Sequence, residues 1–344
     1  MARSNRVGVV LFQLGGPDSP EAIEPFLYNL FCDPDIIDFP FARLGRRALA
    51  KIISVTRAKK VQHHYGVMGG FSPIRRFTEQ QGMALESRLQ AEGVDARCFV
   101  AMRYWHPFTE EAVAALDASG CDSIVLLPMY PQYSKTTTGS SLNEWWRKFQ
   151  PAGRRVEVIN DFYRNPLYLD SVVDRIDETL TRFRDPDDVV LVFSAHSLPV
   201  AVVEQGDPYQ KQIEGTVSMV MRRGRWFNVH RVCYQSKVGA SKWLQPSLRS
   251  TVRELAAAGI RDVCVVPISF VSDHVETLGE INHEARELAQ QVGITRFEMT
   301  PGLNDSPLFI AALCDVVMES LGQVERKLPA AAMPVRAMRV GAKG

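Results

Sequence analysis

The chain alternates two hydrophobic patterns. Short, almost unbroken apolar runs ("RVGVVLFQLGG", "ARCFVAMRYW", "SIVLLPMYPQYS") are separated by stretches such as "TEQQGMALESRLQAEG" and "TEEAVAALDASG", where apolar residues recur at a period near 3.6. A continuous run predicts a strand buried on both faces, and the 3.6 period predicts a helix with one apolar stripe. Together they predict βαβ units and a parallel sheet covered on both sides. The second half repeats the scheme with "DVVLVFSAHSLP", "DPYQKQIEGTVSMVMRR", "NVHRVCYQSKVG", "SLRSTVRELAAAGI" and "DVCVVPISFVSD".

The halves also agree in detail. "AVAALDASGCDSIVLLPMYPQYS" lies over "TVRELAAAGIRDVCVVPISFVSD" without a gap, pairing Leu116 with Leu255, Gly120 with Gly259 and Pro128 with Pro267. "VGVVLFQLGGP" and "VVLVFSAHSLP" both run a strand into a polar turn closed by proline. Two similar α/β domains facing each other follow from this, although any two helix-strand units share some of these features. In open parallel sheets ligands bind beyond the carboxyl ends of the strands. Polar residues stand at those ends: Gln13, Arg103 and Tyr104, Tyr130 and Tyr133, His196, and Ser272 to His274. One cleft shared by both halves is expected there, with an imidazole from one half meeting a carboxylate from the other.

Composition narrows the setting. The 344 residues exceed one ordinary domain; 46% are hydrophobic and 23% charged, with a net charge of +1, which fits a globular chain with no call for a nucleic-acid partner. Six dispersed cysteines without a C-x-x-C pair argue against a zinc ribbon. The first apolar run is too short for a signal peptide and no run would span a bilayer, so a cytoplasmic protein is expected.

Glu276, Glu280 and Glu284 recur every four residues, which sets three carboxylates along one helix face beside His283. Spacing alone favours a plain solvated face. Its position at the mouth of the expected cleft, near His196, points instead to a track of oxygens suited to a hard divalent cation. Arg57, Tyr65, Arg103, Tyr104, Trp105, Tyr130, Tyr133 and Trp243 would wall a large flat apolar ligand, with arginines for its carboxylates. "FQLGGPDSP" lacks the glycine order of a phosphate loop, and "FSAHSLP" has no G-x-S-x-G elbow, which excludes a dinucleotide enzyme and a serine hydrolase.

The segments "LGGPDSPEAIEPFLYNLFCDPDII", "GGFSPIRRFTEQQ", "MRYWHPFTEEA", "YPQYSKTTTGSSLNE", "FSAHSLP", "GDPYQ", "YQSKVGASKWLQP" and "FVSDHVETLGEI" resemble the ferrochelatases, which insert ferrous iron into a porphyrin, across residues 7 to about 320. The resemblance implies two Rossmann-like domains with parallel four-stranded sheets (1–163 and 164–306), a C-terminal helix at 307–325 packing back on the first, and a disordered tail over 328–344. It implies His196 and Glu276 as the central pair at iron and pyrrole protons, accompanied by Asp273 and His274. Glu280 and Glu284 become an iron or proton route. Leu14, Arg57, Tyr65, Ser72, Arg103, Tyr104, Tyr130 and Trp243 become porphyrin contacts, and Leu14 resembles the pattern of protoporphyrin users. Gly279 and Asn282 depart from the family's bulkier and more acidic helix. Cys314 stands alone where some relatives hold several cysteines, so no iron–sulfur cluster and no resident cofactor is expected, with Fe(II) as substrate. Phe26, Leu27, Leu30, Phe31, Ile36, Ile37, Phe39 and Phe41 in the 25–45 segment become an apolar lip that can rest on a membrane. Rival readings are a coproporphyrin ferrochelatase, a chelatase for another tetrapyrrole or metal, and a haem carrier.

Overall fold

A computed structural model describes residues 6–36, 42–67, 70–237 and 241–323. Each half builds one four-stranded, all-parallel sheet. The first sheet contains β1 (Val7–Gln13), β2 (Ala96–Met102), β3 (Ser123–Pro128) and β4 (Arg155–Val158), in the order β2-β1-β3-β4. Its helices are α1 (Ile23–Cys32), α2 (Ala42–Val67), α3 (Ile74–Ala91), α4 (Thr109–Ala118) and α5 (Ser140–Lys148), the last entered through a π-helical turn, Lys135–Gly139. α6 (Pro166–Leu180) leads to the second sheet, β5 (Val190–His196), β6 (His230–Gln235), β7 (Asp262–Pro267) and β8 (Arg296–Met299), ordered β6-β5-β7-β8. Here the helices are α7 (Val200–Glu204), α8 (Tyr209–Gly224), α9 (Leu248–Ala257), a π-helix over Val275–Ala285 that continues as α10 (Arg286–Gln291), and α11 (Pro307–Ser320).

The two orders are the same, and so is the register. Gly8 pairs with Ile124 in the first sheet and Val190 with Val263 in the second, so the aligned β3 and β7 place Leu14 and His196 at one structural position. The edge strands β4 and β8 have four residues each, too few for a hydrophobic pattern to announce them.

Central strands β1 and β3 are buried throughout because both faces are covered. Val9, Leu11, Val125 and Leu127 of the first sheet share a single apolar core with Leu191, Phe193, Cys264 and Val266 of the second, bridged by α6, α8 and α11. α11 packs against α6 and α3. "LGGP" serves this packing. Gly15 lies at φ +85°, and a Cβ on Gly16 would sit 2.6 Å from the Cβ of Ser72, whose N–H donates to the Pro17 carbonyl at 2.8 Å. Those glycines let the turn after β1 press against the start of α3.

Candidate active site

β5, β6 and β7 run parallel, so their carboxyl ends open on one side and deliver His196, then Gln235 and Ser236, then Ser272 to Glu276 to a common place. His196 Nδ1 lies 2.7 Å from Glu276 Oε2. Both residues belong to the second sheet. The expectation that they meet across the two halves is therefore corrected: β5 and β7 are hydrogen-bonded neighbours, and adjacency within one sheet brings the pair together.

Ser236, held at the left-handed φ of +65°, donates towards Glu276 Oε2 at 3.0 Å and Glu280 Oε2 at 2.5 Å. Gln235 accepts from Ser194 Oγ at 2.6 Å and donates to the Glu276 carbonyl at 3.1 Å, which fixes the first turn of the following helix. Neither Ser236 nor Gln235 was marked by the sequence. The only available signal was their place at the end of a strand beside that of His196.

These groups tune one another. Burial alone would lower the His196 pKa, but the Glu276 charge and hydrogen bond outweigh it and raise the imidazole above its ordinary value, with about 35% of the side chain still exposed. Burial would raise Glu276, yet the charge and hydrogen bond of His196, the nearby His274 and Ser236 hold it well below the usual carboxylate range. Glu280 goes the other way: burial, then repulsion from Glu276, push it up to about 7. Three carboxylates that look alike in sequence thus behave differently.

The helix bearing them is π-helical rather than α-helical, with i→i+5 hydrogen bonds that widen the coil where function is often found. Glu276 and Glu280 both reach Ser236. Glu284 lies further out, 3.7 Å from Arg249 on α9. Among the described residues no three His, Cys, Asp or Glu side chains converge as a ready-made metal cage; His196 and Glu276 form a pair from which Glu280 and Glu284 lead away.

Asp273 does not join that pair. Its carboxylate takes hydrogen bonds from Asn304 Nδ2 at 2.9 Å, Gly302 N at 3.2 Å and Thr277 Oγ1 at 3.2 Å, clamping the loop after β8. His274 is buried, with Nδ1 2.9 Å from the Ser272 carbonyl and its ring 4.7 Å from Phe270.

On the first half's side, Tyr65 of α2 is buried, and burial, with the charges of Glu276 and Glu280 adding to it, raises its phenol pKa. Leu14, Trp105 and Val275 pack around the same apolar cluster. Arg103 and Tyr104 are joined to a third residue, Asp33. Arg103 Nη2 sits 3.1 Å from the Asp33 carboxylate, which also accepts from Tyr104 Oη at 2.6 Å and Ser140 Oγ at 2.5 Å. Both side chains meet a buried anion at the end of α1, one the sequence did not reveal. Arg57 lies over the Phe31 ring at 5.7 Å, Ser72 is tucked against "LGGP", and buried Tyr130 Oη is 3.4 Å from Ser141 Oγ. Trp243 bridges to Pro199 with a buried indole N–H that has no partner among the described residues. Of the lip, Phe26, Leu27 and Phe31 are buried core, while Ile37, Phe39 and Phe41 lie outside the described residues. A cavity of about 440 Å³ lined by Arg286, Arg296 and Glu298 sits at the entry end of the second sheet, the end opposite these groups.

Two parallel sheets of one order, with polar chemistry at the strand exits, define a chelatase-type α/β fold. Solved structures carry the same architecture. One is a multi-domain Deinococcus radiodurans protein with structural similarity to chelatases (TM-score 0.54, 14% identity, 92% of this chain, which spans only 55% of that protein). Another is SirB from Bacillus subtilis (TM-score 0.52, 14% identity, 71% of this chain and 90% of that one). The family model for ferrochelatase matches residues 6–321. A Cyanothece ferrochelatase is 45% identical over 97% of this chain and 88% of its own, and one from Gloeobacter violaceus is 46% identical over 93% and 99%. The chain belongs to the ferrochelatase family.

Proposed function

We propose that this protein inserts Fe(II) into protoporphyrin IX to give protoheme, as a lyase, with His196 as proton acceptor and Glu276 as its anionic partner. The observation that carries this reading is the 2.7 Å pair between His196 Nδ1 and Glu276 Oε2 at the strand exits. With Nδ1 held by a carboxylate, Nε2 is the basic nitrogen left to face a substrate. Metal insertion exchanges one ferrous ion for two pyrrole protons. A raised imidazole pKa favours uptake of a proton, and the anionic Glu276 balances the charge that results. Glu280 and Glu284 continue the acidic line outwards as a route for iron or protons. Tyr65, Leu14, Trp105 and Val275 would meet the apolar macrocycle.

The choice of protoporphyrin rests on Leu14, and coproporphyrin is the competing substrate. Anaerobic incubation with Fe(II) and each porphyrin, followed by the metalloporphyrin absorption bands, tests the reading. Turnover of neither porphyrin would end it, and faster turnover of coproporphyrin would reverse the substrate assignment.

No helix among the described residues is long and apolar enough to cross a membrane. Peripheral contact through the lip is kept as part of this proposal. Its support is the exposed Leu49, Ile52 and Val55 on α2 rather than the buried Phe26, Leu27 and Phe31. Liposome flotation of the wild type against Ile52→Asp tests it.

A further inference from the structure

On one side β5 stays paired with β6 through His196 and Gln235, but on the other it loses β7 just before His196, because that ladder ends at Ser194 and Pro267. Two side chains replace that neighbour. Ser269 Oγ accepts from the His196 N–H at 3.0 Å, and Tyr209 Oη donates to the His196 carbonyl at 3.0 Å. Tyr209 is buried and is the first residue of α8. Its own N–H donates to Asp207 Oδ1 at 3.0 Å.

Asp207 is buried as well, and its second oxygen crosses to the other half. Oδ2 accepts from Ser134 Oγ at 3.0 Å and from Lys135 N at 2.8 Å, at the turn that follows β3 and opens into α5. One carboxylate therefore caps two helix starts, one in each half, and satisfies donors that would otherwise be orphaned. Nearby, Gln212 of α8 accepts from Tyr133 N at 2.7 Å, a second tie across the same seam.

We propose that Asp207 is a positioning residue for metal insertion: it registers the first half's turn against α8 and, through the Tyr209 hydroxyl, sets the height of His196 relative to Glu276. The inference rests on the reading of His196 given above. It explains how a pair contained in one sheet is placed against walls supplied by the other. Displacement of a catalytic group by ~1 Å costs on the order of a hundredfold in rate, so a seam contact joined through Tyr209 and two hydrogen bonds to the His196 backbone carbonyl is enough to matter.

The test is steady-state insertion of Fe(II) into protoporphyrin by wild type, Asp207→Asn, Tyr209→Phe and the double variant. Asn keeps the size and one acceptor but turns an N–H towards the Lys135 N–H. For Asp207→Asn, kcat is expected to fall by about tenfold or more with the porphyrin KM within about twofold. Tyr209→Phe should lose less, and the double variant no more than Asp207→Asn alone, since both cut one chain of contacts. If Asp207→Asn does not fold, Ser134→Ala with Tyr209→Phe replaces it, with the same lack of additivity expected. A kcat within twofold of wild type, multiplicative losses in the double variant, or a rise in KM matching the fall in kcat would overturn the role of Asp207. An inactive wild type would instead overturn the ferrochelatase reading, so the two failures are distinguishable.

Discussion

The two halves share strand order and register but have put the same positions to different uses. Leu14 occupies in the first sheet the place of His196 in the second. Carrying the β3–β7 offset onward, Thr137 and Ser141 stand where the second half has Glu276 and Glu280, and both halves enter π-helical turns after the strand, Lys135–Gly139 and Val275–Ala285. The first half has its own buried anion, Asp33, but Arg103, Tyr104 and Ser140 consume it and tie the end of α1 to the body. One half holds a walled apolar surface while the other holds titratable groups. The difference teaches that the scaffold is indifferent to the chemistry, which a handful of side chains at strand exits supply.

The largest effect that would break this comparison is expected at His196. His196→Ala should lower insertion by at least ~10²-fold. Its porphyrin affinity, followed by fluorescence, should stay close to wild type, because the walls belong mainly to the first half. Near-normal turnover would remove the assignment. Glu276→Gln comes next. Without the carboxylate, the His196 pKa should fall from its raised value, visible by NMR titration, and turnover should drop nearly as far.

Arg103→Ala sharpens the contrast between structural and functional ion pairs. It strands the buried Asp33 and should cost about 3–5 kcal/mol in urea unfolding, the usual penalty for breaking a buried pair. A stable protein with impaired porphyrin binding would return Arg103 to the ligand. The smallest effect concerns pH. Glu280 is pushed up to about 7, so it gains its charge as pH rises through neutrality and loses it as pH falls. If the charged form draws iron, activity should rise several-fold from pH 6 to pH 8, and Glu280→Gln should flatten that limb. An unchanged profile in the variant would take Glu280 off the route.

Much of this architecture was legible because the signals are local. The apolar runs of β1, β3, β5 and β7, the 3.6 periods of α3, α4, α8 and α9, and the gapless match of "AVAALDASGCDSIVLLPMYPQYS" to its partner each lie within one stretch of chain. His196 was found the same way, as a polar residue at a strand end, and Glu276 as the first of three carboxylates four residues apart. Their misplacement on opposite halves came from reasoning about a cleft before the strand order was known. Ser236, Asp33 and Asp207 lie in segments the sequence singled out, but their roles were not legible there because each bonds to partners tens of residues away.

By itself, the sequence determined the parallel α/β scaffold, its internal repetition and the side chains able to move protons, since burial pattern and side-chain chemistry are properties of short segments. The tertiary structure decided which of those side chains work together. Asp273 and Arg103 were withdrawn into clamps and Ser236 was recruited between two carboxylates, because hydrogen-bond partners and pKa values depend on distances that only the packed chain defines.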